Sequence, residues 1–319
     1  MQPTIPFSFR VLFCLVVVFL FTTASHAQPK AKPKANQENS DEMWVVDSVP
    51  ELPTGVAHHR YRSTSMNRDV GYCIYLPPSY SSSPDRRYPV IYHLHGAGGN
   101  ECRSIYSATV LHEGILAGRW PEMIIVFPNG GRSTMYQDSG DGRFMAETTV
   151  SKELIPLIDG QYRTIADRNG RCIEGFSMGG RGSTHLSMKY PTMFCSLFNQ
   201  SGNVYHVSEA SQLPNSYLGS DPARLEANDP YLNLEKNLSY IREHLRIQVA
   251  CGIDDPDHLT TVRQYHTALT ESGVPHEYFE VEGLDHNQKK MIDGRKERWF
   301  EFQVKSLKKA GTELHWLNR

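Results

Sequence analysis

The sequence predicts an α/β fold with a mostly parallel central sheet and helices on both faces. Three observations predict it. Short, nearly all-apolar runs rich in β-branched residues recur along the chain. Segments of helical spacing lie between them. Strands that read as continuously apolar belong to sheets buried on both faces, and strand–helix alternation makes such sheets parallel. Of the 319 residues, 39% are hydrophobic and 21% charged, so the chain lacks the apolar poverty of a disordered one. A formal charge of −2, without a clustered basic excess, gives no sign of a nucleic-acid partner, and none is expected.

Taken in order, residues 59–63 and 70–76 read as early strands, the second closed by Pro77-Pro78. Residues 89–94 follow as a strand rich in β-branched and aromatic side chains. Helical spacing runs over 105–116. The apolar run 123–127 is a strand stopped by Pro128-Asn129-Gly130-Gly131. Residues 146–162 form an amphipathic helix that Pro156 is placed to kink. A strand at 172–176, a helix from 178 to 190 and a strand at 194–198 come next. Residues 202–244 show no continuous helical period and read as surface loops rather than a cap or lid. The chain closes with a strand at 247–251, a helix over 259–272, a strand at 276–281 and a final helix over 288–308.

The N-terminus differs. Arg10 precedes an apolar run at 11–21, and Ser25 and Ala27 are the small residues of a cleavage site after Ala27. The run is well short of the ~20 residues that span a bilayer as a helix, so residues 1–27 read as a secretory signal peptide. The expectation is a secreted or periplasmic protein with no stable membrane insertion after cleavage. Residues 28–45 carry Pro, Lys and polar side chains and read as a flexible linker, which leaves 46–319 as a single domain. Cys14 leaves with the signal. Of the others, Cys73, Cys172, Cys195 and Cys251 sit in strand-like runs and read as buried free thiols. No C-x-x-C or zinc spacing occurs, and neither a metal nor an organic cofactor is expected.

The chemistry centres on Gly175-Phe176-Ser177-Met178-Gly179-Gly180. This G-x-S-x-G sits between a strand and a helix, the context of a nucleophile elbow in an α/β-hydrolase fold. Glycines let strand and helix approach closely, and the helix N-terminus favours developing negative charge at Ser177. The partners of such a serine follow it in the order acid, then His. His286 lies just past the last strand in Gly283-Leu284-Asp285-His286-Asn287, whereas His58, His59, His93, His95 and His112 precede Ser177. His185 falls on the helix behind the elbow, and His258 and His266 near or in a later helix. For the acid, Asp254 and Asp255 both follow a strand end in Gly252-Ile253-Asp254-Asp255-Pro256-Asp257. Two backbone N–H groups form an oxyanion hole. Met178 supplies one. His95-Gly96-Ala97-Gly98-Gly99 supplies the other, with Ala97 preferred to Gly98 and His95 fixing the loop by hydrogen bonding.

Several stretches together resemble the esterase D family of α/β-hydrolases, over roughly residues 56–305. They are Tyr88-Pro89-Val90-Ile91-Tyr92-His93-Leu94-His95-Gly96-Ala97-Gly98-Gly99, Glu153-Leu154-Ile155-Pro156-Leu157-Ile158-Asp159, the elbow from Gly170 to Gly180, Cys251-Gly252-Ile253-Asp254-Asp255 and Gly273-Val274-Pro275-His276-Glu277-Tyr278. That family includes feruloyl and acetylxylan esterases, S-formylglutathione hydrolases, enterochelin-type esterases and mycolyltransferases. The resemblance implies Asp255 as the acid. It implies a Ser177-His286-Asp255 triad acting through an acyl-enzyme on a small-molecule or polysaccharide-linked ester, such as an acetyl or feruloyl ester. Acyl transfer to a sugar hydroxyl and a non-catalytic carbohydrate-binding module are the alternatives on the same fold. Where many relatives carry Trp after the His loop, this chain has Asn287-Gln288. Asp138 and Ser139 fall where the family has a loop bordering the cleft.

Overall fold

Buried apolar runs define the sheet. The computed structural model describes residues 44–210 and 218–317, so the stretch read as a signal peptide and most of that read as a linker lie outside the described residues. Eight strands, β1 (Val56–Ser63), β2 (Arg68–Tyr75), β3 (Val90–Leu94), β4 (Ile124–Pro128), β5 (Arg171–Phe176), β6 (Ser196–Gln200), β7 (Arg246–Gly252) and β8 (His276–Val281), form one sheet. Its order is β1-β2-β4-β3-β5-β6-β7-β8. The β1/β2 and β2/β4 pairs are antiparallel, and every other pair is parallel. β3, β4, β5 and β6 are buried at every position, which is why they read as unbroken apolar runs.

Eleven α-helical segments accompany the sheet among the described residues: α1 (Tyr106–Leu116), α2 (Ala146–Thr148), α3 (Ile155–Gln161), α4 (Met178–Lys189), α5 (Val207–Ala210), α6 (Pro222–Ala227), α7 (Pro230–Lys236), α8 (Leu238–His244), α9 (Pro256–Glu271), α10 (Gln288–Gly294) and α11 (Glu301–Lys309). The period-2 alternation of a strand splits the core into two layers. Tyr92 and Ile173 join Leu186 of α4, Ile241 of α8 and Val262 of α9 on one face. Ile91 and Cys172 join Leu111 of α1, Ile292 of α10 and Phe302 of α11 on the other.

Four sequence readings change. The helix read over 146–162 contains a six-residue π-helical segment, Thr149–Leu154, between α2 and α3. Pro156 has no N–H for the carbonyl four residues back, and the wider register accommodates that loss. Residues 202–244 are not plain loops: α5 to α8, of four to seven residues, lie there. Asp221 and Asp229 cap α6 and α7, but helices this short show no period. The final helix breaks after Gly294 into α10, a 3₁₀ turn and α11. Gly294, a poor helix former, ends α10 at the break, and Trp299 and Phe300 just beyond it are both buried. Trp44, inside the stretch read as linker, is fully buried, and its carbonyl accepts from Gly71 N–H at 2.7 Å. Trp44 therefore packs with the domain, although it falls in the stretch whose composition reads as linker.

Candidate active site

The elbow at β5–α4 owes its shape to three glycines. A Cβ at Gly175 would lie 2.5 Å from the Gly179 backbone, and one at Gly179 would lie 2.0 Å from the Leu94 carbonyl oxygen. A Cβ at Gly180 would lie 2.7 Å from Asn199 Oδ1. With those approaches open, the chain reverses at Ser177, which holds φ 57° and ψ −119°. Positive φ in a non-glycine residue is strained, and such strain collects at functional sites. Ser177 N–H donates to Gln200 O at 2.8 Å, which fixes the turn to β6.

The acid and His loops are zipped together. Asp254 N–H donates to Leu284 O at 3.0 Å, and a Cβ at Gly252 would sit 2.0 Å from that same oxygen. The zip sends the Asp255 carboxylate inward, 2% exposed, and leaves Asp254 exposed. Asp255 Oδ2 accepts from His286 Nδ1 at 2.6 Å. That bond leaves His286 Nε2 as the ring's free acceptor, the tautomer a general base needs. His286 and Ser177 line one cavity of about 500 Å³ with Ala97, Phe176, Tyr106 and Gln288. The His286 ring packs against Phe176 at 4.5 Å between centroids.

The loop after β3 is tied down at several points. One buried hydroxyl, Tyr136 Oη, accepts from His95 N–H at 2.8 Å and donates to His95 O at 3.3 Å. Gly130 N–H donates to His95 Nε2 at 3.0 Å, so the ring proton sits on Nδ1, 2.9 Å from Gly96 O. Burial pushes the His95 imidazole down to about 4 and keeps it neutral. Gly98 N–H is committed to Arg132 O at 2.7 Å. Ala97 N–H has no hydrogen-bond partner among the described residues, and Ala97 borders Ser177. Met178 opens α4, where the first N–H groups of a helix lack internal partners. Ala97 and Met178 are thus the free donors beside Ser177.

A family model for esterases matches residues 63–307. The chain belongs to the Esterase family. An esterase of Mycobacterium tuberculosis is 28% identical over 270 residues, covering 76% of this chain and 58% of its own length. This chain thus spans a little over half the length of that relative. A xylanase/feruloyl esterase of Xylanibacter ruminicola is 31% identical over 144 residues, 43% of this chain and 20% of that protein. Among solved structures, a ferulic acid esterase is 25% identical with a TM-score of 0.68, covering 79% of this chain and 98% of that one. An S-formylglutathione hydrolase from Agrobacterium tumefaciens, 18% identical with a TM-score of 0.65, covers 81% of this chain and 98% of its own. These neighbours share the α/β-hydrolase fold with this esterase-family chain.

Sequence reading of this esterase-family chain passed over three features of the site. His258, set aside as a helix residue, donates from Nδ1 to Asp255 Oδ1 at 2.8 Å. Its ring stacks on His286 at 3.9 Å and 9°. Burial, reinforced by the neighbouring His286, lowers its pKa, and the Asp255 bond opposes that shift. Asp255, His258 and His286 offer three donor atoms within 4.8 Å, the described cluster that could hold a metal, and hydrogen bonds already join them. The i+3 step from Asp255 to His258 was the available signal. Gln288, where the family's Trp would fall, accepts from Ser104 Oγ at 2.9 Å and donates to His93 Nε2 at 2.8 Å. His93 in turn donates from Nδ1 to Glu174 at 2.7 Å. This buried chain anchors the start of α10 beside His286, and no local pattern announces it. Met135, with φ 56°, lines the second cavity at Ser177. Asp138 and Ser139 do not: Asp138 accepts from Thr148 Oγ1 at 2.6 Å, and Ser139 donates to Asp141 at 2.6 Å. They build the loop that presents Met135, so the loop borders the cleft while their own side chains line neither cavity at Ser177.

The thiols stay free, with Cys73, Cys172, Cys195 and Cys251 buried. No helix among the described residues is long and apolar enough to cross a membrane.

Proposed function

We propose that the protein hydrolyses carboxylic esters in two steps through an acyl-enzyme. Ser177 attacks the ester carbonyl while His286 Nε2 takes its proton. Asp255 holds the imidazole in that tautomer and stabilises the imidazolium. The N–H groups of Ala97 and Met178 receive the oxyanion. His286 returns the proton to the leaving alcohol, and water repeats the sequence on the acyl-enzyme. The observation that carries this reading is the 2.6 Å bond from His286 Nδ1 to Asp255, with His286 and the strained Ser177 on one cavity wall.

Acetyl or feruloyl groups on a carbohydrate are the proposed substrate class. The ferulic acid esterase likeness supports it, as does a cavity of about 500 Å³, which is ample for one aromatic acyl group. The apolar run at 11–21 supports export to where such polymers lie. The test is hydrolysis of p-nitrophenyl acetate and methyl ferulate by the wild type and by Ser177→Ala. The expected result is turnover by the wild type and a loss of kcat of about 10⁶ in the variant. Equal inertness of the two proteins across short acyl and aryl esters would remove the hydrolase reading. Release of acid in water, unchanged by added sugar acceptors, separates hydrolysis from transfer.

A further inference from the structure

A second cavity, of about 190 Å³, opens on the other side of Ser177. Met135, Met178, Asn203, Tyr205 and His258 form part of its wall, and so does Arg181. Arg181 lies four residues after the nucleophile, and its N–H donates to Ser177 O at 3.0 Å. Residues at i and i+4 share a helix face, and helical side chains lean toward the N-terminus. The guanidinium therefore reaches back over the turn that carries Ser177.

No carboxylate among the described residues pairs with Arg181. The guanidinium instead lies over the Tyr205 ring, its carbon 5.5 Å from the centroid. Burial pushes its pKa down to about 10, so it stays charged at neutral pH while half removed from water. The rest of the cleft has the same sign. The walls of the two cavities at Ser177 carry Arg103, Lys289 and Arg181 and no Asp or Glu. Lys289 is neutralised by Asp293 at 2.6 Å. Asp255, behind the wall, already accepts from two imidazoles. A partly desolvated cation without a paired carboxylate favours an anionic neighbour, and a substrate carboxylate supplies one.

We infer that Arg181 is the anion-binding element of this site and that the preferred ester carries a carboxylate within reach of the cavity beyond Ser177. The inference rests on the hydrolase reading above and narrows its substrate class to acidic esters. The carboxylate belongs either to the acyl part or to the alcohol part, as it would in an ester of an acidic sugar. The chemistry at Arg181 is the same in both cases.

Two matched ester pairs, followed by pH-stat titration, test it. Monomethyl glutarate against methyl valerate places the charge on the acyl side. 4-Acetoxybutyrate against butyl acetate places it on the alcohol side. The expected result is a kcat/KM about tenfold higher for the anionic member of at least one pair, a difference of ~1.4 kcal/mol. Arg181→Met lowers that ratio about tenfold, and Arg181→Lys retains part of it. The pair that responds identifies the side on which the anion sits. Equal or slower turnover of both anionic esters by the wild type overturns the inference, whatever the variants do. A ratio unmoved in a folded Arg181→Met protein overturns it too. If the wild type hydrolyses none of the four esters faster than Ser177→Ala does, the hydrolase reading itself fails and this inference falls with it.

Discussion

Replacing Asp255 by Asn tests the site at its most buried member. The carboxylate is 2% exposed and accepts two Nδ1–H bonds, from His286 at 2.6 Å and from His258 at 2.8 Å. An asparagine of the same shape offers one oxygen and one NH₂ group. Whichever imidazole faces the NH₂ must turn its Nδ1 into an acceptor and move its proton to Nε2. If that ring is His286, Nε2–H points toward the nucleophile and cannot take its proton. The Asp-to-Asn exchange at a serine triad lowers kcat by about 10⁴, or ~5.4 kcal/mol. Asp254→Asn is the internal control, because that side chain is exposed and has no hydrogen-bond partner among the described residues. It is expected to keep kcat within about twofold and stability within about 0.5 kcal/mol. The assay is kcat on p-nitrophenyl acetate, with urea unfolding to verify that both variants fold. An Asp255→Asn protein that is folded and keeps more than about a tenth of wild-type kcat would refute the role given to Asp255. So would an equal loss in Asp254→Asn.

Three further outcomes are expected. Tyr136→Phe strands the buried His95 N–H that now donates at 2.8 Å, so urea unfolding should show a loss of about 1–3 kcal/mol. An unchanged unfolding midpoint would contradict the pinning of the oxyanion loop. His258→Phe keeps a ring against His286 but removes the 2.8 Å bond to Asp255, and kcat should fall about tenfold, as for loss of one hydrogen bond to a charged group. A kcat within twofold of wild type would make His258 a bystander. His95 has a folded pKa of about 4 against an ordinary 6.5. Below pH 6.5 the unfolded chain therefore binds the proton that the folded one refuses. The contribution of neutral His95 is complete above about pH 6.5 and is lost as pH falls toward about 4, at ~1.4 kcal/mol per unit. Between pH 7 and 5 the wild type should lose about 2 kcal/mol more than His95→Gln. Parallel pH profiles for the two proteins would disprove the linkage.

Much of the frame was legible in the sequence because its signals are local. β3, β4 and β5 are buried on both faces, so they were visible as apolar runs. The elbow was visible because only glycine fits at 175, 179 and 180. The misreadings also have local causes. The helices between 207 and 244 are too short for a period, and two of them, α6 and α7, are set by Asp caps. The interruption at 294–300 falls at Gly294, a single weak helix former that a count of periodic apolar positions passes over. Trp44 stood in a polar stretch, and its place in the core depends on Gly71, a residue distant in sequence.

The sequence alone determined the class of fold, the position of Ser177 at a strand–helix turn, and the loops that carry Asp255 and His286. Periodicity and glycine placement act over a few residues, and a linear pattern records them. Only the tertiary structure decided which aspartate turns inward, that His258 shares it, that Gln288 and His93 brace the His loop, and that Arg181 faces the cleft without a carboxylate. Each of those depends on which groups from distant segments are left paired or unpaired in a common volume, a property of the packed chain that no single segment carries.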